Sequence, residues 1–215
     1  MNDATYDGFK RRYETDADAA GYRDRRFTRS RRWRRIDRRE QEIVRRFLAS
    51  LGRGASALDV PCGAGRLVHL FGETGVGYTG ADVALPMLAL ARQATGDAAL
   101  VVAADARRLP FADGAFDAVV SVRLMHRILE GDARAAMLRE MARVACGPVL
   151  ATYYLRWNLR GVRKRLSGRF PGLTLAEIGQ DARSAGLRIV DVIRLGRWTE
   201  QQCFVRLERG GAPPP

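Results

Sequence analysis

Between Ala57 and Leu207, short strand-forming runs alternate with helical segments, and several of the strands stop at an aspartate or a glycine bend. The expected strands are residues 57–60, 76–81, 98–104, 116–121 and 148–153. The expected helices are residues 66–71, 86–94, 132–144 and 175–185, with Pro86 suited to a first helical turn and Thr174 to an N-cap. Residues 187–195 and 201–207 read as an antiparallel pair closing the chain. Strands alternating with helices predict an α/β, doubly wound sheet of seven strands, mostly parallel, with helices on both faces and an antiparallel C-terminal hairpin. In such a sheet a ligand sits beyond the carboxyl ends of the strands, where the strand order reverses.

Ahead of this region, residues 30–51 form an expected amphipathic helix. Trp33, Ile36, Ile43, Val44, Phe47, Leu48 and Leu51 recur at steps of three and four, after a possible N-cap at Ser30 and before a stop at Gly52. The expected organisation is a basic N-terminal helical cap over residues 1–41, a main domain over 42–208 and a disordered tail over 209–215. Length agrees: 215 residues suit one domain with an appendage. No run approaches the ~20 apolar residues of a membrane span, and residues 1–20 lack a secretory apolar core, so a cytoplasmic setting is expected. Cys62, Cys146 and Cys203 form no CxxC pair, so neither a disulfide framework nor a metal site follows.

The formal net charge of +13 is unevenly placed. Residues 23–39 hold ten arginines against Asp24 and Asp37, and residues 155–170 hold six basic groups and no acid. Two basic patches on a neutral body suit phosphates, anionic lipid headgroups or acidic substrates. With 35 arginines and two lysines, coding bias is the alternative explanation.

Four features fall at strand ends. In LDVPCGAGR (residues 58–66), Gly63 and Gly65 allow a sharp bend. A G-x-G-x-x-G fingerprint would need a third glycine where Val68 stands, and no lysine follows as a phosphate loop requires. Asp59 instead places an acid beside the bend, which suits an ammonium. Asp82 ends the second strand and can accept from a ribose diol. Asp105-Ala106 ends the third, where a carboxylate can meet an exocyclic amine and an amide a ring nitrogen. The segment from Ser121 and Val122 to His126 follows the fourth. Ammonium, ribose diol and aminopurine together describe S-adenosylmethionine. Asp113 reads as a turn residue and Asp117 as a loop support.

LDVPCGAGR, YTGADVALPMLALAR, VVAADARRLPFADGAFDAVVSVRLMHRI and GPVLATYY, in this order and spacing, resemble the successive motifs of class I S-adenosylmethionine-dependent methyltransferases, whose fold is Rossmann-like. The resemblance covers about residues 42–208 and is greatest to the small branch that includes the ubiquinone and menaquinone biosynthesis methyltransferases. It implies that Gly63, Ala64 and Gly65 line the methionine and ribose portion and that Asp59 holds the amino group directly or through water. It further implies that Asp82 holds the ribose hydroxyls, Val83 and Met87 flank the adenine, Asp105 meets the adenine amine and Ala106 a ring nitrogen, with Ser121 and Val122 near the sulfonium. Pro61 departs from the glycine many relatives carry, and removes an amide donor.

An amine, thiolate or carbanion-like acceptor needs mainly positioning, whereas a hydroxyl needs a base. His126 is the candidate catalytic base, and His69 reads as structural. Tyr153 and Tyr154 end the fifth strand on the acceptor side. The resemblance places the N-terminal segment and residues 155–170 around the acceptor, and gives Tyr13 and Tyr22 as residues that close over the cofactor. The leading expectation is a small-molecule acceptor, anionic if the patches bind ligand. The alternatives are an RNA methyltransferase using those arginines, and a non-catalytic cofactor-binding partner protein. The patches also suit an anionic membrane surface.

Overall fold

A computed structural model describes residues 30–96, 99–156, 172–196 and 200–210. Tyr13, Tyr22 and most of the second basic patch lie outside them, as do residues 211–215 of the expected tail.

Helix α1 runs Arg31–Ala49, and the Ser30 side chain accepts a hydrogen bond from the Trp33 amide at 3.3 Å. One continuous helix thus spans the boundary expected between residues 41 and 42. Strands β1 (Ser56–Asp59), β2 (Gly77–Asp82), β3 (Leu100–Ala103), β4 (Ala118–Ser121) and β5 (Val149–Tyr154) pair in parallel. β7 (Gln202–Arg209) runs antiparallel to β5, and β6 (Leu187–Arg194) antiparallel to β7. The order β3-β2-β1-β4-β5-β7-β6 puts the reversal between β1 and β4, so the carboxyl ends of these two strands open the crevice expected of a doubly wound sheet.

Period-two alternation divides the core. Ala57, Ala118, Val120, Leu150 and Phe204 face α1 and α2 (Val68–Thr74), where Val44, Phe47, Leu48, Leu70 and Phe71 bury them. Leu58, Val119, Val149, Ala151, Val205 and Leu207 face the other way. There α4 (Gly131–Val144) and α5 (Leu175–Ser184) cover them with Met137, Leu138, Met141, Ile178 and Ala182. Helix α3 (Leu85–Thr95) closes the β2–β3 end through Leu88 and Ala91, against Cys62 and Val101. Thr174 caps α5 in a reciprocal box with Glu177.

The helix expected over 66–71 starts later and ends later. Gly65 is left-handed at φ 74° and keeps the bend going, while Gly72 is accommodated inside α2 and Gly75, at φ 71°, terminates it. The strand expected from residue 116 begins at Ala118, because the side chain of Asp117 turns to Ser56, accepting from its amide at 2.8 Å and its hydroxyl at 2.9 Å. Asp117 is therefore the loop support expected of it, and Asp113 pairs with Arg143 at 2.7 Å. No helix among the described residues is long and apolar enough to cross a membrane.

Candidate functional site

The glycine bend begins where β1 ends. Asp59 is only 1% exposed, and neither carboxylate oxygen has a hydrogen-bond partner. Burial, with the Asp82 charge adding and Arg66 opposing, pushes its carboxyl up to about 8. A buried carboxylate without partners is costly, and both oxygens keep acceptor capacity that no described residue uses. Gly63 and Gly65 follow at φ 55° and 74°, a backbone region open to glycine. At Gly65 a Cβ would lie 3.2 Å from the Ala91 Cα and the Ala94 Cβ, so α3 packs directly on the bend. At Gly63 a Cβ would meet nothing within 4 Å, which leaves open space above this part of the loop.

Asp82 clasps that loop to β2. One carboxylate oxygen accepts from the Gly63 amide at 2.8 Å and the other from the Ala84 amide at 3.0 Å. Burial raises its carboxyl and the amides of Ala84, Gly63 and Val83 oppose that shift. Each oxygen keeps further acceptor capacity. Val83 is half-buried. Met87 is buried against Ala84, with Ala64 of the bend packed beside them, so it fills core as well as lining the start of α3.

At the end of β3, Asp105 accepts from the Arg107 amide at 2.9 Å and pairs with the Arg107 guanidinium at 3.1 Å. The Ala106 side chain packs into the α4–α5 core, which leaves its backbone as the part able to meet a ligand. Ser121 ends β4 fully buried, and its hydroxyl has no partner. Val122 belongs to the α1–α2 core. The His126 ring, in a short 3-10 turn, stacks on Tyr154 with centroids 3.9 Å apart and planes at 18°. Tyr153 is fully buried among the α4–α5 core residues. Burial raises its phenol above the ordinary range, and its hydroxyl has no hydrogen-bond partner among the described residues. His69 is exposed on α2.

An ion cluster beneath these loops escaped sequence reasoning. Glu40, fully buried in α1, receives Arg123 Nε at 3.0 Å and Nη2 at 2.8 Å, and Gln202 Nε2 at 2.6 Å. Arg66, next to Gly65, pairs with Glu40 at 3.1 Å and Asp37 at 2.6 Å. Arg123 takes φ 67° and donates its amide to Thr152 Oγ1 at 2.6 Å. The signal was present: Glu40 falls on the same helical stripe as Ile36, Ile43 and Phe47, where a lone acid requires a buried partner.

Residues 58–147 match the family model described as a methyltransferase domain. A protein of Encephalitozoon cuniculi named as a methyltransferase is 30% identical over 189 residues, covering 75% of this chain and 84% of that one. The probable tRNA methyltransferase 9B of Mus musculus is 31% identical over 123 residues, 57% of this chain, and this chain spans only 26% of that relative's length. The demethylmenaquinone methyltransferase of Parafrankia is 33% identical over 135 residues, 54% of this chain and 52% of the relative. Magnesium protoporphyrin IX methyltransferase from Synechocystis, solved with bound SAH, shares the fold at a TM-score of 0.72 and 18% identity, over 94% of this chain and 98% of that one. With the glycine bend, the strand-end acids and these likenesses together, the chain belongs to the class I S-adenosylmethionine-dependent methyltransferases.

Proposed function

We propose that the protein transfers the methyl group of S-adenosylmethionine to an acceptor reaching the carboxyl ends of β4 and β5. The observation that carries this is the partnerless, buried Asp59 carboxylate beside the Gly63–Gly65 bend. The cofactor fits that site chemically. Asp59 would take its ammonium, directly or through water, and Asp82 its ribose hydroxyls with the acceptor capacity that Gly63 and Ala84 leave free. Val83 and Met87 would flank the adenine, Asp105 and the Ala106 amide would meet its edge, and Ser121 and Val122 would face the sulfur end. When bound, the cofactor supplies a methyl group made electrophilic by its sulfonium. The chain's own work is then to position, which can supply much of the barrier reduction. For an oxygen acceptor, His126, held by its stack on Tyr154, would take the hydroxyl proton.

The leading reading is a small-molecule acceptor, anionic if the basic patches bind ligand. A second reading, an RNA acceptor, is favoured by the arginine face of α1 and by the name of the tRNA-modifying relative. Three free cysteines suit the reducing cytoplasm that this reading assumes. An acceptor screen with methyl-labelled cofactor tests the proposal. Label should move to a small-molecule or RNA fraction, and the absence of transfer to any fraction, with cofactor binding intact, would make the protein a non-catalytic cofactor-binding partner.

A further inference from the structure

We infer that the solvent face of α1 is a docking ridge for the phosphodiester backbone of an RNA acceptor. This deepens the proposed methyl transfer and rests on it for the acceptor's role. Arg31, Arg34, Arg35, Arg38 and Arg39 are all exposed. Their spacing of three and four puts them on one stripe about 12 Å long. Among the described residues, the acidic neighbours are committed elsewhere. Asp37 pairs with Arg66, Glu40 with Arg123, Glu42 with Arg45 and Arg46, and Glu200 with Arg32. None of the five stripe arginines has an ion-pair partner among the described residues.

The ridge lies beside the crevice. Midway along α1, Glu40 holds Arg123, two residues past the end of β4, and Arg66 of the glycine bend. Near its start, Arg32 holds Glu200, two residues before β7, which pairs with the end of β5. The N-terminal half of α1 therefore borders the strand ends where an acceptor enters.

The geometry favours RNA over other anions. Five guanidinium groups spread along a convex ridge cannot converge on one small metabolite, but they match a repeating phosphate chain that arginine binds bidentately. A helix that enters a membrane surface needs an exposed apolar face, and the apolar face of α1 is spent in the core. Ser121 and His126 are recessed, at 0% and 7% exposure, so a reacting base must leave its stack to reach them. Single-stranded or looped RNA offers such bases more readily than a duplex.

The test measures binding of a mixed-sequence single-stranded RNA against salt, without cofactor. Five phosphate contacts predict a slope of log affinity on log salt of about −3.5. The triple substitution Arg34→Gln, Arg35→Gln, Arg38→Gln should reduce that slope by about 2 and weaken binding at least about tenfold at low salt. Removing three arginines elsewhere, with Arg139→Gln and Arg183→Gln on α4 and α5 and Arg188→Gln on β6, should leave binding within about twofold. Equal losses from both triples would reduce the effect to net charge and overturn the ridge. So would duplex DNA binding as tightly as RNA, or capture by phosphatidylserine vesicles in place of RNA. Calorimetry with S-adenosylhomocysteine on the same preparations separates the two claims. RNA binding that survives without cofactor binding would sink methyl transfer and leave the ridge standing.

Discussion

The carboxylate of Glu40 and the guanidinium of Arg123, 83 positions apart, form a buried forked pair, with Nε 3.0 and 3.1 Å from the two oxygens and Nη2 2.8 Å from one of them. Through it α1 is fastened to the loop after β4, and through Arg66 to the glycine bend. Replacing Glu40 with alanine would leave Arg123 charged, buried and without this acceptor. The expected cost is about 3–5 kcal/mol, read as a lower midpoint in urea unfolding. A loss under about 1 kcal/mol would mean that water or another acid takes over the role.

Asp82 joins Gly63 to β2 across 19 positions. Asp82→Ala removes the acceptor for two backbone amides and the proposed ribose contact together. Affinity for S-adenosylhomocysteine should fall by about 1–3 kcal/mol, measured by calorimetry. Unchanged affinity would remove β2 from the cofactor site.

Asp59 makes stability depend on pH. Its carboxyl rises from an ordinary 3.8 to about 8 in the fold, so between those values the native state binds more protons than the unfolded chain. The stability it contributes is complete below about pH 4 and is lost as pH rises toward 8. Asp59→Asn should flatten that part of the profile and raise the unfolding midpoint at pH 8 relative to the parent. A cationic ammonium favours the charged carboxylate, so cofactor binding near pH 7 should release a proton. Calorimetry in buffers of different ionisation heat reads this directly, and zero release in the parent would detach Asp59 from the ammonium.

His126 is stacked on Tyr154, which holds its ring whether or not it carries a proton during turnover. His126→Ala should lower kcat at neutral pH for an oxygen acceptor and recover part of it at high pH, where the acceptor ionises unaided. Turnover unaffected at both pH values would leave His126 as a packing residue only.

The strand-end acids and the glycine bend were legible because their chemistry is local: Asp59, Gly63, Gly65 and Asp82 each sit where a strand stops, and strand ends are marked by period-two runs. The Glu40 cluster was not, since its pairing depends on α1 crossing the β1–β4 reversal, a property of sheet order. The end of α2 is not legible in the sequence because Gly72 and Gly75 look alike there, and only the left-handed φ of Gly75 distinguishes the cap. Asp105 lies just past β3, and its local bonds to Arg107 carry no distinct signal in a chain so rich in arginine.

The most direct measurement is a calorimetric titration of the protein with S-adenosylhomocysteine, repeated with Asp59→Asn. Saturable one-to-one binding by the parent, weakened at least about tenfold in the variant by loss of a charge-assisted contact, is the predicted result. No binding by the parent, or equal binding by both proteins, would contradict the assignment of the crevice at the β1–β4 reversal.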